Sequence, residues 1–199
     1  MNVMLEAEAE DFLEKNGFNV AKRAVIKTKD ELLKVAKKLG FPLVLKNAEL
    51  LHKTERNAVK LNVHESNLLE AYQELKARKV LVHKQIDGNY FLIGIKKDPT
   101  FGHVIVFGLG GIYTELFKDI TIRVYPIGKK QAKDMLEDIK FRKIYEFRNK
   151  KINKQALVEA LLKTSNLIKK YPNIRELDIN PMIANEKEAV IADARIVFE

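Results

Sequence analysis

Four groups of residues have types and spacings suited to handling phosphate. Lys46 closes the apolar run Phe41-Pro42-Leu43-Val44-Leu45. A buried ammonium there is costly unless an anion neutralises it, and phosphate is the natural anion; the same lysine could instead reach water from a strand end. Gly108-Leu109-Gly110-Gly111 follows the apolar segment His103-Val104-Ile105-Val106-Phe107. Bare backbone N–H groups can approach an anion closely in such a run. It lacks the third glycine and following helix of a dinucleotide fingerprint, and by itself it also reads as a turn. Glu176, Asp178 and Asn180 alternate along one face of a strand, and Asp193 and Arg195 share a face of the next. If the two strands pair antiparallel, Asn180 and Asp193 could hold one cation through oxygen ligands. Mg²⁺ fits, since it takes one or two protein oxygens plus phosphates and water; an edge strand with solvated polar residues is the alternative. Last, His52 lies in the polar segment Leu51-His52-Lys53-Thr54-Glu55, where a neutral imidazole could accept a phosphoryl group. A lone histidine is more often structural, and His64, His83 and His103 receive no chemistry.

The elements that must position these groups can be read from periodicity. Apolar residues at helical spacing predict helices over residues 4–15 and 29–39, stopped by Gly17 and Gly40. Residues 41–46 and 58–63 read as strands, and Ser66 as the cap of a helix reaching about Arg78. Strands over 80–85 and 90–96 flank Asp87-Gly88-Asn89, which reads as a hairpin turn because Gly and Asn accept positive φ cheaply. Further strands follow at 103–107 and 121–125. Residues 129–171 read as helices with a basic break near 147–151, and three short strands close the chain at 174–179, 182–184 and 188–196. This is an α+β pattern with antiparallel sheets, no internal repeat and no obvious linker.

The composition narrows the function classes. Of 199 residues, 46% are hydrophobic and 32% charged, enough apolar material for one large domain or two small lobes, and too much for disorder. No stretch approaches the roughly 18 apolar residues that span a bilayer, and the acidic start does not read as a leader, so a soluble cytoplasmic protein without a membrane partner is expected. Without cysteine there is no disulfide, thiolate metal site or thiol nucleophile. The formal charge of +9 would attract phosphates of any kind. The basic residues, Lys34, Lys37 and Lys38 among them, are spread over helix faces with few aromatics between them. Solvated surface is therefore expected over a nucleic-acid site, which would instead show steeply salt-dependent binding.

The order of these motifs resembles the beta subunit, or ATP-grasp domain, of ADP-forming acetyl-CoA and related acyl-CoA synthetases. The resemblance spans nearly the whole chain. It is carried by Gly40-Phe41-Pro42-Leu43-Val44-Leu45-Lys46, Leu51-His52-Lys53-Thr54, Lys97-Asp98-Pro99-Thr100-Phe101-Gly102, Phe107-Gly108-Leu109-Gly110-Gly111-Ile112, Glu176-Leu177-Asp178-Ile179-Asn180-Pro181 and Asp193-Ala194-Arg195-Ile196. It implies an ATP-grasp fold in which two α+β lobes with antiparallel sheets clamp a nucleotide. The lobes would be residues 17–85 and residues 86–199 with the helix over 4–15, within one domain of 1–199. It also implies conversion of acyl-CoA, ADP and phosphate into acid, CoA and ATP, with a CoA-binding alpha subunit carrying another phosphohistidine in an α2β2 heterotetramer. By position Lys46 matches the phosphate-binding lysine, Val82 to Ile86 (with Gln85) the adenine-side hinge, Arg123 a phosphate-binding arginine, and Asn180 with Asp193 the Mg²⁺ ligands. Gly108, Gly110 and Gly111 would line the nucleotide. His52 falls on the histidine that relays phosphate between acyl site and nucleotide, and Glu115 on a glutamate that orients it or a metal.

This chain departs from the pattern in three places. Asn57-Ala58 stands where the family has a Gly-Gly pair, Glu55 where the motif has aspartate, and Tyr90 where an acidic residue opens the second hairpin strand. A degenerate ATP-grasp domain that binds nucleotide or a partner without turnover is therefore the alternative to an active phosphoryl-transfer subunit.

Overall fold

A computed structural model describes residues 2–49, 58–111, 114, 118–149 and 151–199. The chain divides into two compact units, one of Met1–Val20 with Asp87–Glu199 and one of Ala21–Ile86. Among the described residues the strands form two antiparallel sheets, and no helix is long and apolar enough to cross a membrane.

The smaller unit is a four-stranded sheet in the order β2 (Arg23–Ile26), β5 (Val80–Lys84), β3 (Leu43–Asn47), β4 (Val59–Val63). Helix α2 (Lys29–Leu39) starts where its sequence directs: the Thr28 hydroxyl accepts from the Glu31 N–H at 3.2 Å and the Glu31 carboxylate accepts from the Thr28 N–H at 3.2 Å. This reciprocal cap satisfies donors that the first turn leaves orphaned. Leu32 and Ala36 of α2 pack on Leu43, Leu45, Val80 and Val82, joined by Leu68 and Ala71 of α3 (Leu68–Glu74). The expected Ser66 cap is not used. Residues Glu65–Asn67 form a 3-10 turn, Asn67 precedes α3, and the Asn67 side chain accepts from the His64 N–H at 2.7 Å.

The larger unit is a seven-stranded sheet ordered β1 (Asn2–Met4), β11 (Ala194–Phe198), β9 (Ile174–Ala184), β6 (Asn89–Asp98), β7 (Gly102–Leu109), β8 (Ile120–Val124), with β10 (Ala189–Ile191) also paired to β9. Helices α1 (Glu6–Lys15), α4 (Lys129–Glu137) and α5 (Lys154–Lys170) bring Ala9, Leu13, Met135, Leu136, Leu157 and Leu161 into one core with Phe91, Ile93, Ile95, Leu177 and Ile179. Cross-strand rows run straight through this core: Ile93 pairs with Phe107 and Ile179, and Ile95 with Ile105 and Leu177. Phe91 stacks on Phe107 and on Tyr145, each with ring centroids 5.8 Å apart.

The hairpin expected at Asp87-Gly88-Asn89 does not form. β5 has both edges occupied, by β2 and β3, and β6 has both occupied, by β9 and β7, so the two strands belong to different sheets. Gly88 serves another purpose: a Cβ there would collide with the Ala184 carbonyl at the end of β9. The expected strands at 174–179 and 182–184 are one strand, and β1 and β2 went unrecognised in the sequence.

Candidate functional site

β9 sorts its side chains by face. Leu177 and Ile179 are buried in the core, while Glu176, Asp178 and Asn180 are half-buried on the opposite face. β11 pairs antiparallel with the first half of β9, so that Arg195 lies across from Asp178 and Ala194 across from Ile179. At Asn180-Pro181 the strand changes partner from β11 to β10. There the Asn180 N–H donates to the Asp193 carbonyl at 3.2 Å and the Ala192 N–H to the Pro181 carbonyl at 3.1 Å. Asn180 and Asp193 are thus adjacent across a backbone junction; the expected strand over 188–196 is two strands, and Asp193 lies in the break between β10 and β11, outside the strand that holds Arg195. An amide and a carboxylate oxygen donor, both half-buried, suit a hard divalent cation that keeps water and phosphate ligands. Asp178 shares this polar face with Glu176 and Asn180. Burial raises its pKa, and the Arg195 guanidinium opposes that rise; Arg195 also donates to Glu176 at 2.7 Å.

The glycine-rich run closes against the same junction. The Gly110 N–H donates to the Tyr90 carbonyl at 2.9 Å, and the Gly111 N–H donates to Asn180 Oδ1 at 2.6 Å. Gly111 has φ +63, the left-handed region glycine tolerates. Crowding explains the other two glycines. A Cβ at Gly108 would stand 2.6 Å from the Asp119 carbonyl oxygen, and one at Gly110 would stand 2.5 Å from the Phe91 carbonyl. Gly111, Asn180 and Asp193 therefore come together in one unit, Gly111 meeting the Asn180 side chain and Asn180 meeting Asp193 through main chain.

Arg123 on β8 spends its fork locally. One Nη donates to Thr121 Oγ1 at 3.0 Å and to the Ile122 carbonyl at 2.9 Å, and the other pairs with Asp138. Nothing in the sequence marks Asp138 as its partner. Such a partly exposed pair is worth only about 0–1 kcal/mol, so an arriving phosphate could compete for the guanidinium.

In the smaller unit Lys46 is 6% exposed on β3, flanked by Val59 of β4 and Leu81 of β5, and it alternates with the core residues Leu43 and Leu45. Val82 is a fully buried core residue whose strand is paired on both edges, so it offers no side chain to a ligand. Gln85 and Ile86, the rest of the stretch expected on the adenine side, lie past the strand end and are half-exposed. Gln85 exchanges two 2.7 Å hydrogen bonds with Asn62, side chain to side chain and side chain to backbone. His52 and Glu115 lie outside the described residues, as do Glu55 and Asn57.

The ATP-grasp domain profile matches residues 1–198. The chain is 36% identical to the beta subunit of acetate–CoA ligase [ADP-forming] II of Pyrococcus furiosus, over 98% of this chain and 92% of that one. It is 37% identical to acetate–CoA ligase [ADP-forming] II of Archaeoglobus fulgidus, of whose length it spans 30%. Among solved structures, acetyl-coenzyme A synthetase 1 of Ca. Korarchaeum cryptofilum with coenzyme A, Ca-AMPCP and HgCl+ superposes with a TM-score of 0.91 at 31% identity, covering 99% of this chain and 93% of that one. A selenomethionine derivative of that protein in complex with coenzyme A and Mg-AMPPCP, its phosphohistidine segment pointing towards the nucleotide binding site, superposes with a TM-score of 0.85 at 31% identity, covering 99% of this chain and 93% of that one. The chain belongs to the ATP-grasp family and is similar along nearly its whole length to beta subunits of ADP-forming acetate–CoA ligases.

Proposed function

We propose that the chain is the nucleotide-handling subunit of an ADP-forming acyl-CoA synthetase, working with a CoA-binding alpha subunit in an α2β2 assembly. The overall conversion is acyl-CoA, ADP and phosphate to acid, CoA and ATP. Asn180 and Asp193 would hold Mg²⁺, which when bound neutralises phosphate charge. Lys46 supplies a cation against phosphate, and its burial makes that charge strong because little water screens it. Gln85 and Ile86 take the adenine side, and Arg123 exchanges Asp138 for a phosphate oxygen. The His52 imidazole nitrogen attacks the phosphorus carried by the alpha subunit's phosphohistidine, whose N–P bond breaks and whose imidazole leaves. A terminal oxygen of ADP then attacks the same phosphorus, the His52 N–P bond breaks, and ATP and neutral histidine result; Glu115 orients the ring. Phosphoryl transfer of this kind depends mostly on positioning and charge neutralisation.

The observation that carries this reading is the junction itself, where Asn180, Asp193 and the Gly111 amide gather at a change of strand partner. The test mixes the chain with its alpha partner, acetyl-CoA, ADP, phosphate and Mg²⁺. CoA release that disappears in His52→Ala supports the proposal; equal release in both, or none across several acyl-CoAs, defeats it. A second reading, nucleotide binding without turnover, draws on the Tyr90 ring, which occupies the space beside Gly111. Acid-labile phosphate on His52 dismisses that reading, and tight Mg-nucleotide binding with no phosphohistidine favours it.

A further inference from the structure

The turn that follows β7 is anchored unequally at its two glycines. Gly110 is fixed by main chain: its N–H is bonded to the Tyr90 carbonyl, and the Phe91 peptide crowds its Cα. Gly111 is fixed by a side chain, Asn180 Oδ1, at 2.6 Å. On its far side the Gly111 carbonyl accepts from the Thr114 N–H at 3.1 Å, and the Thr114 hydroxyl donates to the Leu109 carbonyl at 2.8 Å. The Tyr90 ring limits sideways movement, since a Cβ at Gly111 would stand 2.8 Å from its Cδ2. Among the described residues, Asn180 is the acceptor that holds the Gly111 N–H, so loss of that contact would leave this N–H to find another acceptor.

That contact also sets the asparagine. A backbone N–H can face only an acceptor, so it selects Oδ1 over Nδ2 and presents an oriented oxygen at the junction with Asp193. The same oxygen is the one a divalent cation would take, a point that rests on the reading of Asn180 and Asp193 as cation ligands. Oδ1 has two lone pairs, but a cation on one of them draws off its electron density and sets a like charge across a single oxygen from the positive end of the Gly111 N–H dipole, which weakens that hydrogen bond.

We propose that Asn180 Oδ1 is a shared acceptor from which a divalent cation displaces the Gly111 amide, so that cation arrival turns this N–H towards an oxygen of the accompanying phosphate. The pairing with Asn180 keeps the turn ordered before nucleotide binds, and the cation releases the donor when an anion is there to receive it. Asn180 is thereby a positioning residue for Gly111 as well as a cation ligand.

The experiment follows the Gly111 amide of the full chain, ¹⁵N-labelled, by NMR hydrogen exchange. Mg²⁺ is titrated alone and then with ADP, and Mn²⁺ broadening of Asn180 and Asp193 reports cation occupancy separately. Without metal, the Gly111 amide should exchange about tenfold more slowly than in Asn180→Ala, the protection one hydrogen bond confers. Mg²⁺ alone should remove most of that protection, ADP should restore it, and Asp193→Asn should need more Mg²⁺ for the same change. Protection unaltered while Mn²⁺ broadens both residues would overturn the displacement and leave the cation site standing. No broadening at either residue would overturn both.

Discussion

The two faces of β9 are built from one alternating sequence and behave as two different materials. On one, Leu177 and Ile179 join Phe91, Ile93, Phe107 and the helices in a closed apolar core. On the other, Glu176, Asp178 and Asn180 stay half-buried, each meeting a charge or dipole from a neighbouring strand or turn: Arg195 or the Gly111 amide. Period-two alternation alone separates them. The core face anchors the strand, so the polar face inherits positions set by packing and not by a loop.

Substitutions on the core face should cost stability, and those on the polar face ligand affinity. The largest effect is expected from Phe91→Ala, which removes a ring stacked on both Phe107 and Tyr145. It should lower the unfolding free energy by about 3–5 kcal/mol in denaturant melts; a loss under about 1 kcal/mol would mean the core face is not what holds the sheet.

Asp178 offers a sharper test because it lies on the polar face yet pays for burial. Its folded pKa is raised, so the folded chain binds this proton more tightly than the unfolded chain, and ionisation costs stability. That cost is absent below the ordinary carboxyl range, about pH 4, and sets in as pH rises through it towards the folded value. Asp178→Asn should therefore raise Tm at pH 7 and lose its advantage near pH 3.5 in thermal melts. An equal difference at both values would show that its ionisation is not the cause. The smallest effect is expected at Arg123→Ala, where the exposed Asp138 pair contributes about 0–1 kcal/mol to stability. The same variant should weaken ADP binding by calorimetry, and unchanged ADP affinity would remove Arg123 from the nucleotide's contacts.

Much of the polar face was legible in the chain because alternation is a local signal: Glu176, Asp178 and Asn180 could be placed together, and antiparallel pairing then set Asp193 beside Asn180. What escaped depends on distant partners. Asp87-Gly88-Asn89 carries a good hairpin signature, but both neighbouring strands find their edges already taken, and Gly88 answers to Ala184, far along the chain. β2, only Arg23–Ile26 between lysines, is too short and too charged at its ends to announce itself. Val82, matched by position to the adenine side, has its side chain in the core, a placement that position along the chain does not reveal. That the Gly111 amide would meet Asn180 had no sequence signal, because the two are 69 residues apart.

The central claim is that the junction of Asn180 and Asp193 holds the cation that brings nucleotide to this chain. Calorimetric titration of Mg-ADP into the wild type, Asn180→Ala and Asp193→Ala, each first shown to melt as a folded protein, tests it most directly. The account predicts affinity at least about tenfold weaker in both variants, equivalent to about 1.4 kcal/mol, with the difference shrinking when Mg²⁺ is left out. Wild-type affinity in both variants, in the presence of Mg²⁺, would contradict it.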